Sequence, residues 1–334
     1  MSDDLYIAAA SSWLPERMTL EEADQAGLAD RARVWNTGIE SVCVAADKSA
    51  PEMAVLAARA ALERAEAAPD DLDLLLHACA YHQGHDMWPP ASYIQRFTGG
   101  GSYPALEIRQ MSNGGMIALD LAAGYLRAGD RRTALLTTAD RFCLPGFDRW
   151  RSDPATICGD GGTAVVMSTR SGFAKLRGLV SVSDSGLEHG SRGEQFSDAP
   201  LAAGAPVDLN SDVLVHELGV EALLRRIEAG QREAFDRACS EADVKFSDVD
   251  WYVLPNLGRT RMRAQFFDPF GIEPKRSTWS WGRQVGHLGA GDQFAALAHL
   301  VSEGCLEAGQ TCLLAGVGAG FTWTVGILEI VAKP

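Results

Sequence analysis

Three side-chain types that together perform nucleophilic acyl chemistry stand in two glycine-bearing stretches. Ser112 lies in Met111-Ser-Asn-Gly-Gly115, and His287 and Asp292 lie in Val285-Gly-His-Leu-Gly-Ala-Gly-Asp292. A serine hydroxyl is a poor nucleophile until a positioned base takes its proton, and the base works best when a third group holds its tautomer. Glycines at 286, 289 and 291 leave the second stretch free to fold back, so that the Asp292 carboxylate can reach the His287 imidazole. Ser112 falls between an apolar run that reads as a strand, Ala105 to Ile108, and an Ala/Leu-rich run that reads as a helix, Met116 to Leu126. Its hydroxyl would therefore sit beside the unpaired N–H groups at a helix start, which favour a developing negative charge. Each residue also has a plainer role: Ser112 and Asp292 are of types that cap helices, and His287 is of a type that satisfies a turn.

Acyl transfer at a serine also needs donors for an oxyanion. The Ser112 backbone N–H is one, and Ala315-Gly-Val-Gly-Ala-Gly-Phe-Thr-Trp323, a glycine-dense turn after an apolar strand, offers a second at Gly320 or Phe321. A phosphate loop is the competing reading of that turn, but no Gly-Lys-Ser/Thr ending follows it. Gly159-Asp-Gly-Gly-Thr-Ala164 reads as a tight structural turn. His77, His82 and His85 lack the spacing of a metal site on one helix, so no metal is expected.

The elements that must bring these residues together recur. Ala61-Leu-Glu-Arg-Ala precedes the apolar run Asp71-Leu-Asp-Leu-Leu-Leu, and Ala234-Phe-Asp-Arg-Ala precedes Ser247-Asp-Val-Asp-Trp-Tyr-Val-Leu. Ala118-Leu-Asp-Leu-Ala and Tyr125-Leu-Arg-Ala-Gly precede Thr133-Ala-Leu-Leu-Thr-Thr; Ala296-Leu-Ala-His-Leu and Cys305-Leu-Glu-Ala-Gly precede Thr311-Cys-Leu-Leu-Ala-Gly. Two helix–strand units in the same order mark a duplicated α/β half. The expected halves are 1–172, with the nucleophile, and 173–334, with the His/Asp pair. Alternating helices and buried strands predict parallel-dominated sheets covered on both faces. Duplication would set the two glycine-bearing turns opposite each other, so Ser112 is expected to meet His287 and Asp292. A further strand is expected over 5–13, surface helix and loop over 19–35, and a helix from Ala50 to Ala67 with Pro51 in its first turn.

Composition excludes several classes. Of 334 residues, 46% are apolar and 22% charged, which is globular usage, and no apolar run reaches the roughly 18 residues of a membrane span. A net charge of −14 disfavours nucleic acid, and it would repel an acidic carrier protein except at a local basic patch. Seven scattered cysteines without Cys-x-x-Cys, and an acidic start without a basic leader, predict a reduced, cytoplasmic setting.

Together these stretches resemble the ketoacyl-acyl-carrier-protein (ACP) synthase III family of the thiolase superfamily. The likeness runs through Thr37-Gly-Ile-Glu, Met53-Ala-Val-Leu-Ala-Ala-Arg-Ala-Ala-Leu, Pro89-Pro-Ala-Ser-Tyr-Ile-Gln, Ser112-Asn-Gly-Gly, Gly159-Asp-Gly-Gly-Thr-Ala and Gly318-Ala-Gly-Phe-Thr-Trp. The resemblance implies a five-layered αβαβα thiolase-like fold, usually a homodimer, acting on acyl-CoA or acyl-phosphopantetheine substrates with no tightly bound cofactor. It also implies carrier docking at Arg261, flanked by Arg259 and Arg263. Three departures stand out. Ser112 replaces the family's cysteine nucleophile, Asn256 stands where the family has histidine, and His287 where it has asparagine. The family's His/Asn pair serves decarboxylative condensation, so the exchange points to plain acyl transfer, with Asn256 as an auxiliary polar group. The pattern is similar to a divergent branch in antibiotic biosynthesis that moves an acyl group from a carrier or coenzyme A to a sugar hydroxyl or another carrier. Two alternatives stay open: a starter-unit synthase that condenses a short acyl group with malonyl-carrier, and a non-catalytic partner subunit. Residues 81–96 and 185–215, with Trp88, Trp279 and Trp281, are expected around the acyl pocket.

Overall fold

The computed structural model describes residues 4–191, 206–209 and 213–334. Part of the 185–215 stretch expected near the pocket lies outside the described residues. Nine strands form the main sheet: β1 (Tyr6–Trp13), β2 (Leu74–Ala78), β3 (Ala105–Ile108), β4 (Thr133–Asp140), β5 (Gly161–Ser168), β6 (Ala174–Ser183), β7 (Trp251–Val253), β8 (Thr311–Gly318) and β9 (Thr322–Ile330). Four long helices accompany them: α1 (Ala50–Arg64), α2 (Gly114–Arg127), α3 (Val220–Ala242) and α4 (Asp292–Ser302).

The ladder order is β3-β2-β4-β5-β1-β6-β9-β8-β7. It divides into two sheets joined at one corner, because β1 meets β6 only at Tyr6↔Lys175 and Ile7↔Ala174. On the first side β2 and β4 are parallel, and β4–β5 and β5–β1 are antiparallel. On the second side β7 and β8 are parallel, and β8–β9 and β9–β6 are antiparallel. The pairing pattern therefore repeats, and the sequence pairs noted above fall on matching elements: α1–β2 with α3–β7, and α2–β4 with α4–β8.

Layering follows from which faces are apolar. Helix α1 buries Met53, Ala54, Ala57, Ala58 and Ala61 against β1, β4 and β5, where small side chains let helix and sheet approach closely. Helices α2 and α4 are sandwiched between the two sheets: α2 contacts β2, β4, β6 and β9, and α4 contacts β1, β5, β7 and β8. Helix α3 closes the far side on β6 and β9. The result is the five-layered αβαβα arrangement. Helices sandwiched between sheets must be apolar all round, and α4 buries every residue from Asp292 to Ala298.

The parallel-dominated expectation needs correction: only β3–β2, β2–β4 and β7–β8 are parallel, and the other five neighbouring pairs are antiparallel because β5 and β9 run back as hairpin partners between the halves' strands. Other differences lie at element ends. Helix α1 stops at Arg64 rather than Ala67, because Glu66 turns left-handed at φ 49°. The stretch 19–35 resolves into two short helices, Leu20–Gln25 and Arg31–Trp35, the first closed by a Thr19–Glu22 capping box.

Candidate active site

Strand β3 ends at Ile108, and the chain reaches α2 through a single tight turn at Met111–Asn113. Met111 lies at φ 48°, a left-handed conformation that costs energy for a side chain of its size. Ser112 is not the cap of α2. That position falls to Asn113, and the Asn113 side chain is turned away to donate to Thr324 Oγ1 at 2.8 Å. The Ser112 hydroxyl is left to another partner: its Oγ is 2.7 Å from His287 Nε2. His287 Nδ1 lies 2.6 Å from Asp292 Oδ2. A carboxylate only accepts, so Nδ1 carries the proton and Nε2 presents its lone pair to the serine O–H. The spacing is that of a nucleophile, its base and the group that orients the base.

The carboxylate of Asp292 is itself fixed. It is fully buried in the first turn of α4, where its Oδ1 accepts from Leu288 N at 2.7 Å and its Oδ2 from Asn256 N at 2.8 Å. The cap of α4 is Gly291, so the capping role open to Asp292 is not the one it fills. Burial pulls the His287 pKa down, but the charge and hydrogen bond of Asp292, with smaller help from Asp153 and Asp140, outweigh it and raise the pKa above its ordinary value. The surrounding carboxylates thereby favour the protonated form of the imidazole.

Asn256 is completely buried, and its Nδ2 donates to Gly286 O at 2.9 Å, the residue before His287. Its backbone and side chain thus brace the His/Asp turn. The oxyanion expectation needs correction. Phe321 N–H is spent on the carbonyl of Asp184 at 3.1 Å, inside the β6–β9 neighbourhood, and is not a free donor. Gly320 sits beside it at φ 127°. The glycine-dense turn does bear on the Ser112 turn, since a Cβ on Gly318 would fall 2.6 Å from Gln110 O and 3.0 Å from Asn113 N.

The basic patch also changes. Arg261 is turned inward, with Nη1 2.6 Å from Asp153 Oδ2 and 2.7 Å from Thr156 Oγ1, so it serves an internal ion pair. Arg263 makes an exposed pair with Asp268 at 3.3 Å. Arg259 and Arg263 line a groove of about 430 Å³ together with Phe267, Ile272, Pro274 and Trp279. Trp279 is a structural donor, from Nε1 to Leu257 O at 3.1 Å, while Trp281 stacks on His299 and Trp88 meets Tyr93 and His85 edge-on.

The turn Gly159–Ala164 does more than close a hairpin. Gly159 N donates to His287 O at 2.9 Å, and Cys158 forms a parallel bridge with His287. Asp160, fully buried, takes Arg149 in a two-pronged pair (2.8 and 3.0 Å) and accepts from Ala45 N and Phe142 N. Arg149 also donates to Cys158 O at 3.3 Å, the residue that bridges to His287, and the sequence alone did not show this pair. The signal was the acidic residue inside Gly159-Asp-Gly-Gly. The histidines 77, 82 and 85 do not converge. His77 is held inside by Thr137 and Gln83, burial depressing its pKa to about 4, while His82 sits 3.6 Å from Asp86.

A two-sheet αβαβα duplication with Ser112 at the start of one central helix and His287 just before the other has the arrangement of a thiolase-type protein. The model of the 3-oxoacyl-[acyl-carrier-protein] synthase III C-terminal region matches residues 239–330, and the 3-oxoacyl-[acyl-carrier-protein] synthase III model matches residues 106–184. The beta-ketoacyl-[acyl-carrier-protein] synthase III of Synechocystis sp. is 27% identical, covering 93% of this chain and 94% of that one. The enzyme of the same name from Paramagnetospirillum magneticum is 27% identical over 97% and 98%. Among solved structures, an acyltransferase named ChlB3 is 36% identical with a TM-score of 0.93, covering 99% of this chain and 98% of that chain. The synthase III FabH from Pseudomonas aeruginosa PAO1 shares the fold at 21% identity, with a TM-score of 0.80 over 99% of both chains. The chain belongs to the ketoacyl-ACP synthase III-like family of the thiolase superfamily. It is an enzyme of acyl-thioester chemistry, transferring or condensing acyl groups.

Proposed function

We propose that the protein is an acyltransferase that takes an acyl group from a carrier-protein or coenzyme A thioester onto Ser112 and passes it to an acceptor. The observation that carries this reading is the unbroken chain Ser112 Oγ–His287 Nε2–Nδ1–Asp292, at 2.7 and 2.6 Å. His287 takes the serine proton as Oγ attacks the thioester carbonyl, and returns a proton to the departing thiolate. The same base then deprotonates an acceptor hydroxyl, amine or thiol, which attacks the acyl-serine and releases Ser112. The likeness to an acyltransferase at 36% identity supports transfer over condensation. So does Asn256, which stands where the family has histidine and gives one side-chain N–H to Gly286 O. The acceptor belongs to natural-product assembly in the cytoplasm, as a sugar hydroxyl or a second carrier in a polyketide or antibiotic pathway. Carrier docking is assigned to Arg259 and Arg263 at the Trp279 groove, with Arg261 bracing the loop behind them. We further propose a homodimer through the outer edge of β3, which pairs with no strand among the described residues and leaves Leu106 54% exposed. Light scattering on the purified protein tests the dimer, and a monomer refutes it.

Intact-protein mass spectrometry after incubation with acyl thioesters tests the central reading. A stoichiometric acyl adduct on the wild type, absent from Ser112→Ala, is expected. No adduct on the wild type, or equal labelling of the variant, overturns it. Carbon dioxide release from malonyl-carrier would instead favour the starter-unit synthase.

A further inference from the structure

One more buried carboxylate touches the His/Asp turn without belonging to the Ser112–His287–Asp292 chain. Asp140, the last residue of β4, is wholly buried and makes no ion pair with Lys or Arg among the described residues. Its Oδ1 accepts from Ala80 N at 2.9 Å and Tyr81 N at 2.7 Å, and its Oδ2 from Ala290 N at 3.1 Å. The contact is close enough to require glycine next door: Gly289 sits at φ 62°, and a Cβ there would lie 2.1 Å from Asp140 Oδ2. On its other side Ala290 bears on the start of the nucleophile helix. Its carbonyl lies 2.6 Å from where a Gly115 Cβ would be, and its own Cβ 3.0 Å from that of Gly114. Ala290 is thus wedged between Asp140 and the two residues that follow Ser112-Asn113, inside the turn that carries His287 and Asp292.

We propose that Asp140 is a positioning residue of the acyl-transfer site: by holding the Ala290 N–H it sets the spacing between the turn bearing His287 and the helix start bearing Ser112, and its carboxylate adds to the negative charge facing the imidazole. The proposal rests on the acyl-Ser112 reading. The ionisable groups that face His287 are Asp292, Asp153 and Asp140, with the Cys158 thiol kept neutral because burial pushes its pKa well up. Burial raises the Asp140 carboxyl to about 7, against the pull of its three backbone donors and of His287. Asp160 is equally buried, but its charge is answered by Arg149. The Asp140 charge meets backbone donors and the His287 imidazole but no Lys or Arg among the described residues.

The test is the rate of Ser112 acylation at saturating thioester, followed against pH, in Asp140→Asn and Asp140→Glu. In Asp140→Asn the amide nitrogen cannot accept and the charge is gone. The saturating rate is expected to fall roughly 10- to 100-fold with KM for the thioester unchanged, and the acidic limb of the profile to move to lower pH. Asp140→Glu keeps the charge but displaces Ala290, so the rate falls while the acidic limb stays. A wild-type rate and limb in both variants, or a lowered melting temperature with the limb unmoved in Asp140→Asn, overturns the proposal. If the Asn variant does not fold, an NMR titration of the His287 imidazole in the wild type decides. Two inflections, one near 7 from Asp140, are expected, and a single inflection refutes it. A wild type that acquires no acyl group at Ser112 would refute the site reading itself, and the titration would still judge Asp140.

Discussion

The two glycine-bearing turns of the site each open a central helix of the duplicated fold, yet they are held by opposite means. The Ser112 turn is tied directly by neutral threonine hydroxyls of the second sheet. Gln110 Nε2 donates to Thr322 Oγ1 at 2.9 Å and Asn113 Nδ2 to Thr324 Oγ1 at 2.8 Å; Thr324 meets Ser181 at 2.9 Å, which donates to Asp120 at 2.7 Å. The base-bearing turn is tied by carboxylates that accept backbone N–H groups, Asp292 from Leu288 and Asn256 and Asp140 from Ala290. The difference matches the proposed acyl-transfer chemistry. A serine that begins and ends its cycle neutral needs rigid placement, whereas an imidazole that becomes a cation needs negative charge around it.

Breaking each turn should therefore fail differently. The largest effect is expected from Ser112→Ala, which removes the acyl adduct and lowers turnover by about 10⁴-fold or more. Asp292→Asn comes next. It leaves the neutral turn untouched but lets the imidazole adopt the wrong tautomer, and single-turnover acylation should slow by roughly 10³–10⁴-fold while the melting temperature shifts far less. A pH profile sharpens the contrast. Protonated His287 cannot act as base, so kcat/KM should fall as pH drops through an inflection above the ordinary 6.5 that the surrounding carboxylates have raised. Thr324→Val attacks the neutral ladder instead. It strands the buried Asn113 amide, should cost about 1–3 kcal/mol in urea unfolding, and should leave that inflection where it is. The smallest effect is expected from Arg263→Ala. Its exposed pair with Asp268 adds little stability, so unfolding should be unchanged and only the KM for carrier-borne substrate should rise a few-fold.

Much of the fold was legible because burial writes itself into residue periodicity. The duplicated helix–strand units needed no contacts to be seen, and they alone predicted that Ser112 would face His287 and Asp292. What the sequence withheld were partnerships between distant segments. That Phe321 gives its N–H to Asp184, and that Arg261 turns inward to Asp153, follows from ladder register and loop path, which local composition does not encode. Asp140 was hidden for a related reason. An aspartate after an apolar run looks like the exposed end of a strand, and only the closed fold sets it beneath Ala290. Asn256 was recognisable as a departure from a family pattern, but its bracing role depended on where Gly286 came to rest.

The residues that meet at 2.7 Å are 175 positions apart. The pair joins segments far apart in sequence, and contacts of that kind form late because a large loop must first be closed. During refolding, helices and local strand pairs should gather before any serine becomes acylatable, so recovery of labelling should trail recovery of helical signal. Under the proposed reading, Ser112 would stay unactivated until the two halves have met, which would spare a half-folded chain from reacting with thioesters.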